Sequence, residues 1–180
     1  MNMLTLTFDI GESPGGEEPK NYVKKLLKKN LCQAVQNILL EQDLSAEQRE
    51  NVHAFWTECG HRVREKIKDD LRLELILRKT LPAYLAPKII LYRGENIERY
   101  RSQRIGFCWT ANQETARMFA RGLNSQPTGG VLLEYCFDTE QIIAAPSQHS
   151  IYLGEHEYTV APSTINFSKI AMIEEFPPAF

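Results

Sequence analysis

The sequence predicts an α+β fold, with helices first and a mainly antiparallel sheet after them. Two observations carry this. Apolar residues recur at helical spacing through the first half, and from Lys88 the period changes to two, in short runs bounded by Gly, Pro, Asn or Ser. A chain of 180 residues with 43% hydrophobic content suits one globular domain, or one domain with a helical appendage. We therefore divide it into a helical lobe over 1–87, with a short amino-terminal strand and linker, and a sheet-based core over 88–180.

Each element has its own signal. LTLTF near the start alternates like a strand, with no partner assigned. After the linker-like GESPGGEEPK, residues Val23, Leu26, Leu27, Leu31, Val35, Ile38 and Leu39 place an amphipathic helix over about Asn21 to Glu41. Lys24, Lys25, Lys28 and Lys29 occupy its other side. Ser45-Ala-Glu-Gln48 has capping-box form and starts a second helix. Its stripe of Val52, Phe55, Trp56, Cys59, Val63, Ile67, Leu71 and Leu75 runs towards Lys79, with a bend or break expected at Gly60 and an end at Pro82. KIILYRGE, IGFCWTA, GGVLLEYCF, TEQIIAA, GEHEYTVAP and FSKIAMIEEF read as strands. One helix interrupts them, from a cap at Asn112 to about Arg121, with Ala116, Phe119 and Ala120 on its buried side.

Bulk composition narrows the classes. A formal net charge of −2 gives no global basic field for nucleic acid, although a local patch remains open. Cys32, Cys59, Cys108 and Cys136 fall at wide spacings without a CxxC pair or a secretory signal, and are expected as reduced thiols in a cytoplasmic protein. No apolar run approaches the roughly 18 residues needed to cross a bilayer. Cys59-Gly-His61 has no second ligand pair, so no metal site is expected, and no phosphate-cradling glycine loop is present.

Three places carry chemistry. Ile89, Leu91 and Arg93 share one strand face, so a guanidinium ends an apolar row. Beside Gly94, where a backbone or ligand can come close, it suits bidentate grip on a phosphate or carboxylate. An ion pair with Glu95 is the plainer alternative. In IGFCWTA, Phe107 and Trp109 share one face, with Trp109 as core, while Cys108 and Thr110 share the other. Thr110 is either a hydrogen-bonding group or simple strand propensity. Cys108 lacks a base nearby in sequence and makes a poor nucleophile candidate. Glu155 and Glu157, two apart at the mouth of a strand, repel each other, a cost tolerated where positive charge develops in a reaction. Solvated surface acids are the alternative. His53 and His149 are isolated, and His156 is expected on the opposite face from the two acids. The four-lysine face is a solvated helix side or a contact for an acidic partner.

Arg93 in LYRGE, GFCWTA followed by NQETARMFA, and the E-x-E of GEHEYTV occur in a set order. Over about residues 88 to 176 they resemble the NAD-dependent mono-ADP-ribosyltransferases of the Arg, Ser-Thr-Ser, Glu type, found in bacterial toxins, phage enzymes and eukaryotic relatives. The resemblance implies a split antiparallel β-sandwich around an NAD cleft, preceded by a helical lobe. It implies that Arg93 binds NAD phosphate and braces the nicotinamide ribose, with Gly94, Trp109 and Thr110 completing the cofactor side. Glu157 is then the glutamate that stabilises the oxocarbenium ion, Glu155 selects and activates the acceptor, and Tyr152 is the aromatic of the acceptor-recognition turn. Cys108-Trp109-Thr110 replaces Ser-Thr-Ser, so the first hydroxyl is lost. The implied partners are NAD as substrate, a protein arginine or nucleic-acid base as acceptor, and an antitoxin protein if the chain serves a toxin–antitoxin, phage or anti-phage system. A catalytically silent module of the same fold and an NAD glycohydrolase are the other readings.

Overall fold

The computed structural model describes residues 44–179, so the expected strand at LTLTF and the lysine-faced helix lie outside the described residues. The first described helix, α1 (Ala46–Ile67), starts at the expected capping box. The Gln48 amide donates to Ser45 Oγ at 3.2 Å and the Ser45 amide to Gln48 Oε1 at 2.8 Å. The break comes at Lys68, whose φ of 53° is left-handed, and not at Gly60. Asp69 explains the place. A short acid competes with helix backbone in an interior but serves well as a cap, and Asp69 accepts from the Arg72 amide at 2.9 Å to start α2 (Asp70–Thr80).

This restart shifts the phase of the apolar face. Leu71 and Leu75, placed on the buried stripe by continuous periodicity, are 64% and 62% exposed, and Leu73, Ile76 and Leu77 are buried instead.

The strands β1 (Ile89–Asn96), β2 (Cys108–Thr110), β3 (Gly130–Phe137), β4 (Ile142–Ala144), β5 (Glu157–Val160) and β6 (Ala171–Phe176) form a six-stranded antiparallel sheet in the order β4-β5-β2-β1-β3-β6. β1 and β3 pair along their whole length, from Ile89 with Phe137 to Asn96 with Gly130. β1 and β2, at the centre, are in register only at Tyr92 and Thr110. Two three-stranded groups thus meet at one residue pair.

Between the strands lie α3 (Ile97–Arg101), α4 (Gln113–Arg121) and α5 (Gln148–Tyr152). α4 follows its expected Asn112 cap. α3 and α5 are single turns too short for periodicity to register, each started by a capping side chain, Asn96 and Ser147. The carboxy-terminal run expected as one strand opens with a 3₁₀ turn over Phe167–Lys169.

One face of the sheet buries Leu91, Leu133, Tyr135, Phe137 and Trp109, the last two rings meeting edge-on at 4.9 Å between centroids. A second cluster joins Trp56, Leu73, Leu77 and Leu81 of the helices to Phe107, Ile143 and Ala144, so α1 and α2 share apolar surface with the sheet. Phe107 and Trp109 consequently serve different clusters, because Phe107 precedes β2 and escapes its alternation. α4 lies directly on the backbone of β1 and β3. A Cβ at Gly94 would collide with the Ala116 carbonyl and the Ala120 amide, and one at Gly130 with the Ala120 carbonyl.

Gly94→Ala is therefore expected to force α4 off the sheet and destabilise the protein by about 1–3 kcal/mol, the usual cost of overpacking. A urea midpoint equal to that of the wild type would show that α4 yields freely there.

Candidate functional site

Where backbone pairing between β1 and β2 stops, the Arg93 side chain takes over. Its Nη1 donates to the Cys108 carbonyl of β2, while Nε donates to Glu95 Oε2 at 2.9 Å and Nη2 lies 2.9 Å from the same oxygen. Glu95 is 1% exposed and receives further bonds from the Asn96 amide at 3.0 Å and the Gly106 amide at 3.2 Å. Burial alone would lift the Glu95 carboxyl, yet the Arg93 and Arg99 guanidiniums outweigh it and hold its pKa down. Burial likewise opposes the Arg93 charge and is overcome by Glu95, with the Cys108 and Glu157 sites adding to the effect. The ion-pair alternative for Arg93 is thus realised, and it leaves donors of the five-donor fork free to face a ligand. Gly106 makes room for it, since a Cβ there would strike the Arg93 guanidinium.

Arg93 opens onto a cleft of about 330 Å³ between α1 and α4. Its α1 wall is Trp56, Thr57, Gly60 and His61; Tyr92, Gly94 and Thr110 form its floor, and Glu155 and Glu157 its far side. Such a volume lies at the small end of ligand sites, room for the reacting end of a large ligand.

Glu157 opens β5, directly across from Thr110. Its carboxyl is pushed up to about 7, first by burial and then by the neighbouring Glu155, against the lowering effects of the Cys108 thiol, which hydrogen-bonds it, and of Arg93. The thiol thus stands on the carboxylate where the resemblance expects a hydroxyl. Burial and the Glu157 charge push the Cys108 pKa well up, so the thiol keeps its proton and donates.

Glu155 is not part of the strand, contrary to the alternation reading. Gly154 at φ 74° and His156 at φ 47° make a turn between α5 and β5, and His156 is exposed. The two acids converge on the cleft through this turn, not through a shared strand face.

Ser150 holds the turn in place. Its carbonyl accepts from the Glu155 and His156 amides at 3.1 and 3.3 Å, and its Oγ from the Glu157 amide at 2.7 Å. α5 is itself tied to α1, through a hydrogen bond between Thr57 Oγ1 and Ser147 Oγ at 3.1 Å and the pair of His149 Nε2 with Glu58 Oε1 at 3.0 Å. Sequence reasoning passed over Ser147 and Ser150; the legible signal was Ser147 in N-cap position.

The remaining candidates divide. Gly94 lines the cleft, and its carbonyl accepts from Asn124 Nδ2 at 2.7 Å. Thr110 is 6% exposed, and its Oγ1 accepts from the Asn112 amide at 3.1 Å, setting up the start of α4. Trp109 is 1% exposed, with Nε1 donating to the Gly106 carbonyl at 3.2 Å. Its ring packs in the core against Phe137, and the residue also lines the cleft. Tyr152 is 86% exposed at the end of α5, outside the cleft. His53 is buried and its pKa pushed down to about 4 by burial, which keeps the ring neutral in the helix packing.

Comparison with family models, curated proteins and solved structures gives no match for this chain.

The Glu157 environment has a measurable consequence. A carboxyl lifted in the folded state favours folding below its ordinary value, and that contribution disappears as pH rises towards about 7. Glu157→Gln removes the ionisation, so it is expected to stabilise the fold at pH 8 by on the order of 2–3 kcal/mol and by under about 1 kcal/mol at pH 5. Denaturant titrations at both pH values check this; an equal effect at both would mean that Glu157 is solvated.

Proposed function

We propose that the protein is a mono-ADP-ribosyltransferase that takes ADP-ribose from NAD and passes it to a macromolecular acceptor. One observation supports the reading above the others: Arg93, from the middle of the chain, and Glu157, from near its end, line the same cleft. The pairing of the strands into two three-stranded groups, joined at Tyr92 and Thr110, agrees with a split sheet around a dinucleotide site.

The chemistry follows from the charges. NAD carries a cationic nicotinamide on the C1′ of its ribose, and the reaction breaks that C–N bond with the electron pair leaving on nicotinamide. Positive charge moves to the ribose. A carboxylate held in a poorly solvated cleft is worth more to such a cation than one in water, and it need not reorganise as the charge develops. Glu157 takes this part. Arg93, fixed by Glu95 and the Cys108 carbonyl, turns its remaining N–H groups to the phosphates and keeps the ribose in line. The acceptor then gives a lone pair to C1′ and loses its proton to Glu155, which the Ser150-anchored turn holds beside Glu157. Tyr152 stands exposed two residues before that turn's Gly154, where an arriving acceptor meets it.

Removing the Glu157 charge at nearly constant shape is expected to lower nicotinamide release from NAD by on the order of several kcal/mol in barrier, with the fold intact. Glu155→Gln should impair acceptor labelling more than nicotinamide release. In the wild type, kcat/KM for NAD is expected to fall below about pH 7, as the free enzyme's Glu157 takes up its proton. Radiolabelled NAD with whole-cell lysate measures both products. Full activity in both variants would place the chemistry elsewhere, and nicotinamide release without a labelled macromolecule would make the protein a glycohydrolase.

A further inference from the structure

Beside the cleft, one segment carries an excess of arginine that the site does not use. Residues 97–106 hold Arg99, Arg101 and Arg104 against one acid, Glu98, and contain no lysine. Arg99 Nε lies 3.2 Å from Glu95 Oε1, at an angle that makes no hydrogen bond, so its buried N–H has no partner. The Arg104 amide donates to the Arg99 carbonyl at 2.8 Å, which folds the segment back on itself. Arg64 of α1 adds a further guanidinium at the same place, donating to the Ile105 carbonyl at 3.2 Å and lying over the Phe107 ring.

Burial first, and then Arg64, Arg93 and Arg104, disfavour the charge on Arg99 against the pull of Glu95, so these like charges are close enough to repel. Of the nearby acids, Glu95 is engaged by Arg93 and Arg99 and Asp70 by Arg64 at 2.5 Å, which leaves Glu98 alone to set against Arg101 and Arg104. Arg101 and Arg104 are exposed and have no side-chain partner among the described residues. Holding uncompensated cations together costs free energy, and a bound anion would relieve it.

Apolar anchors are missing from this surface. Ile97 and Ile105 are buried and Tyr100 packs on the core, so residues 97–106 expose no large hydrophobic side chain. Protein partners are usually held by buried aromatic or aliphatic anchors, whereas a phosphate backbone binds by charge alone. Arginine's planar fork also suits phosphate better than lysine does. The face adjoins the reaction site directly. Arg64 sits one turn along α1 from the cleft-lining Gly60 and His61, and Arg99 shares Glu95 with Arg93.

We infer that this arginine face binds the phosphate backbone of a single-stranded nucleic acid, and that the same strand supplies the acceptor group for Glu157. A single strand fits because a base in a duplex is stacked and paired, and chemistry on it needs it exposed. Naming the strand as acceptor rests on the transferase reading; the binding face does not.

The test uses the full chain and labelled single-stranded RNA and DNA of mixed sequence, with affinity read by fluorescence anisotropy across a salt titration. Arg101→Ala/Arg104→Ala is expected to weaken binding about tenfold or more at low salt, and to reduce the slope of log K against log salt by about 1.4, two phosphate contacts at the single-strand value. Nicotinamide release and the KM for NAD should stay unchanged. Binding that the double variant leaves intact, or no binding by the wild type at low salt, overturns the inference. So does a raised KM for NAD with unchanged oligonucleotide affinity, which would assign the arginines to the dinucleotide's own phosphates. Displacement of the oligonucleotide by poly-glutamate at equal charge would assign the face to acidic proteins and overturn it too. If the strand binds as expected but NAD is never cleaved, the transferase reading fails and the binding face stands.

Discussion

A buried guanidinium holds the centre of the sheet where two strands stop pairing. β1 and β2 share one residue pair, and the next connection between them is the bond from Arg93 to the Cys108 carbonyl. Taking Arg93 and Glu95 out of water costs several kcal/mol per ion, which their attraction offsets only if the remaining donors and acceptors are satisfied. They are nearly so. Glu95 receives Arg93, the Asn96 amide and the Gly106 amide, with Arg99 beside it, and side-chain exposure falls to 14% for Arg93 and 2% for Glu95. Gly106 is part of the same device, because any side chain there would occupy the guanidinium's place.

The acidic side of the cleft is built on a different principle. Glu157 is held through its backbone, by Ser150 Oγ and the pairing with Thr110, while its carboxylate is left with few charged or hydrogen-bonding partners. Burial, with the Glu155 charge beside it, outweighs the Cys108 thiol and Arg93 and produces the lifted pKa. A carboxylate so poised gains most from a cation placed next to it, while the basic side keeps its charge in every accessible state. The cleft therefore has one fixed charge and one responsive charge. α1 braces the acidic side, through Trp56 Nε1 on Thr159 Oγ1 at 3.1 Å and through Thr57 and Glu58 on the start of α5, and reaches the basic side through Arg64 on the Ile105 carbonyl at 3.2 Å.

Several features of the site are legible in the sequence. Arg93, Gly94, Glu155 and Glu157 all reach the cleft, and the capping residues Ser45 and Asn112 start their helices as read. The failures share a cause. Leu71 and Leu75 were placed by extending one helical phase through a backbone break, and Glu155 by extending strand alternation through a turn. Periodicity assumes that the backbone keeps one conformation, and single left-handed residues such as Lys68 and His156 end that assumption without an apolar signature. Trp109 does both things read from its strand: its ring is buried in the core, and the residue lines the cleft.

Local chemistry settled what each segment does on its own: where caps start helices, which runs extend, and which positions carry charge. It also fixed the order of the groups along the chain. Packing alone decided which of those groups meet. The Arg93–Glu95 pair, the thiol on Glu157 and the Ser150 anchor each join residues whose contact depends on a few degrees of backbone at a turn or on one residue of strand register. No local pattern holds that information, because the free energy that selects it comes from surfaces brought together after the segments have formed.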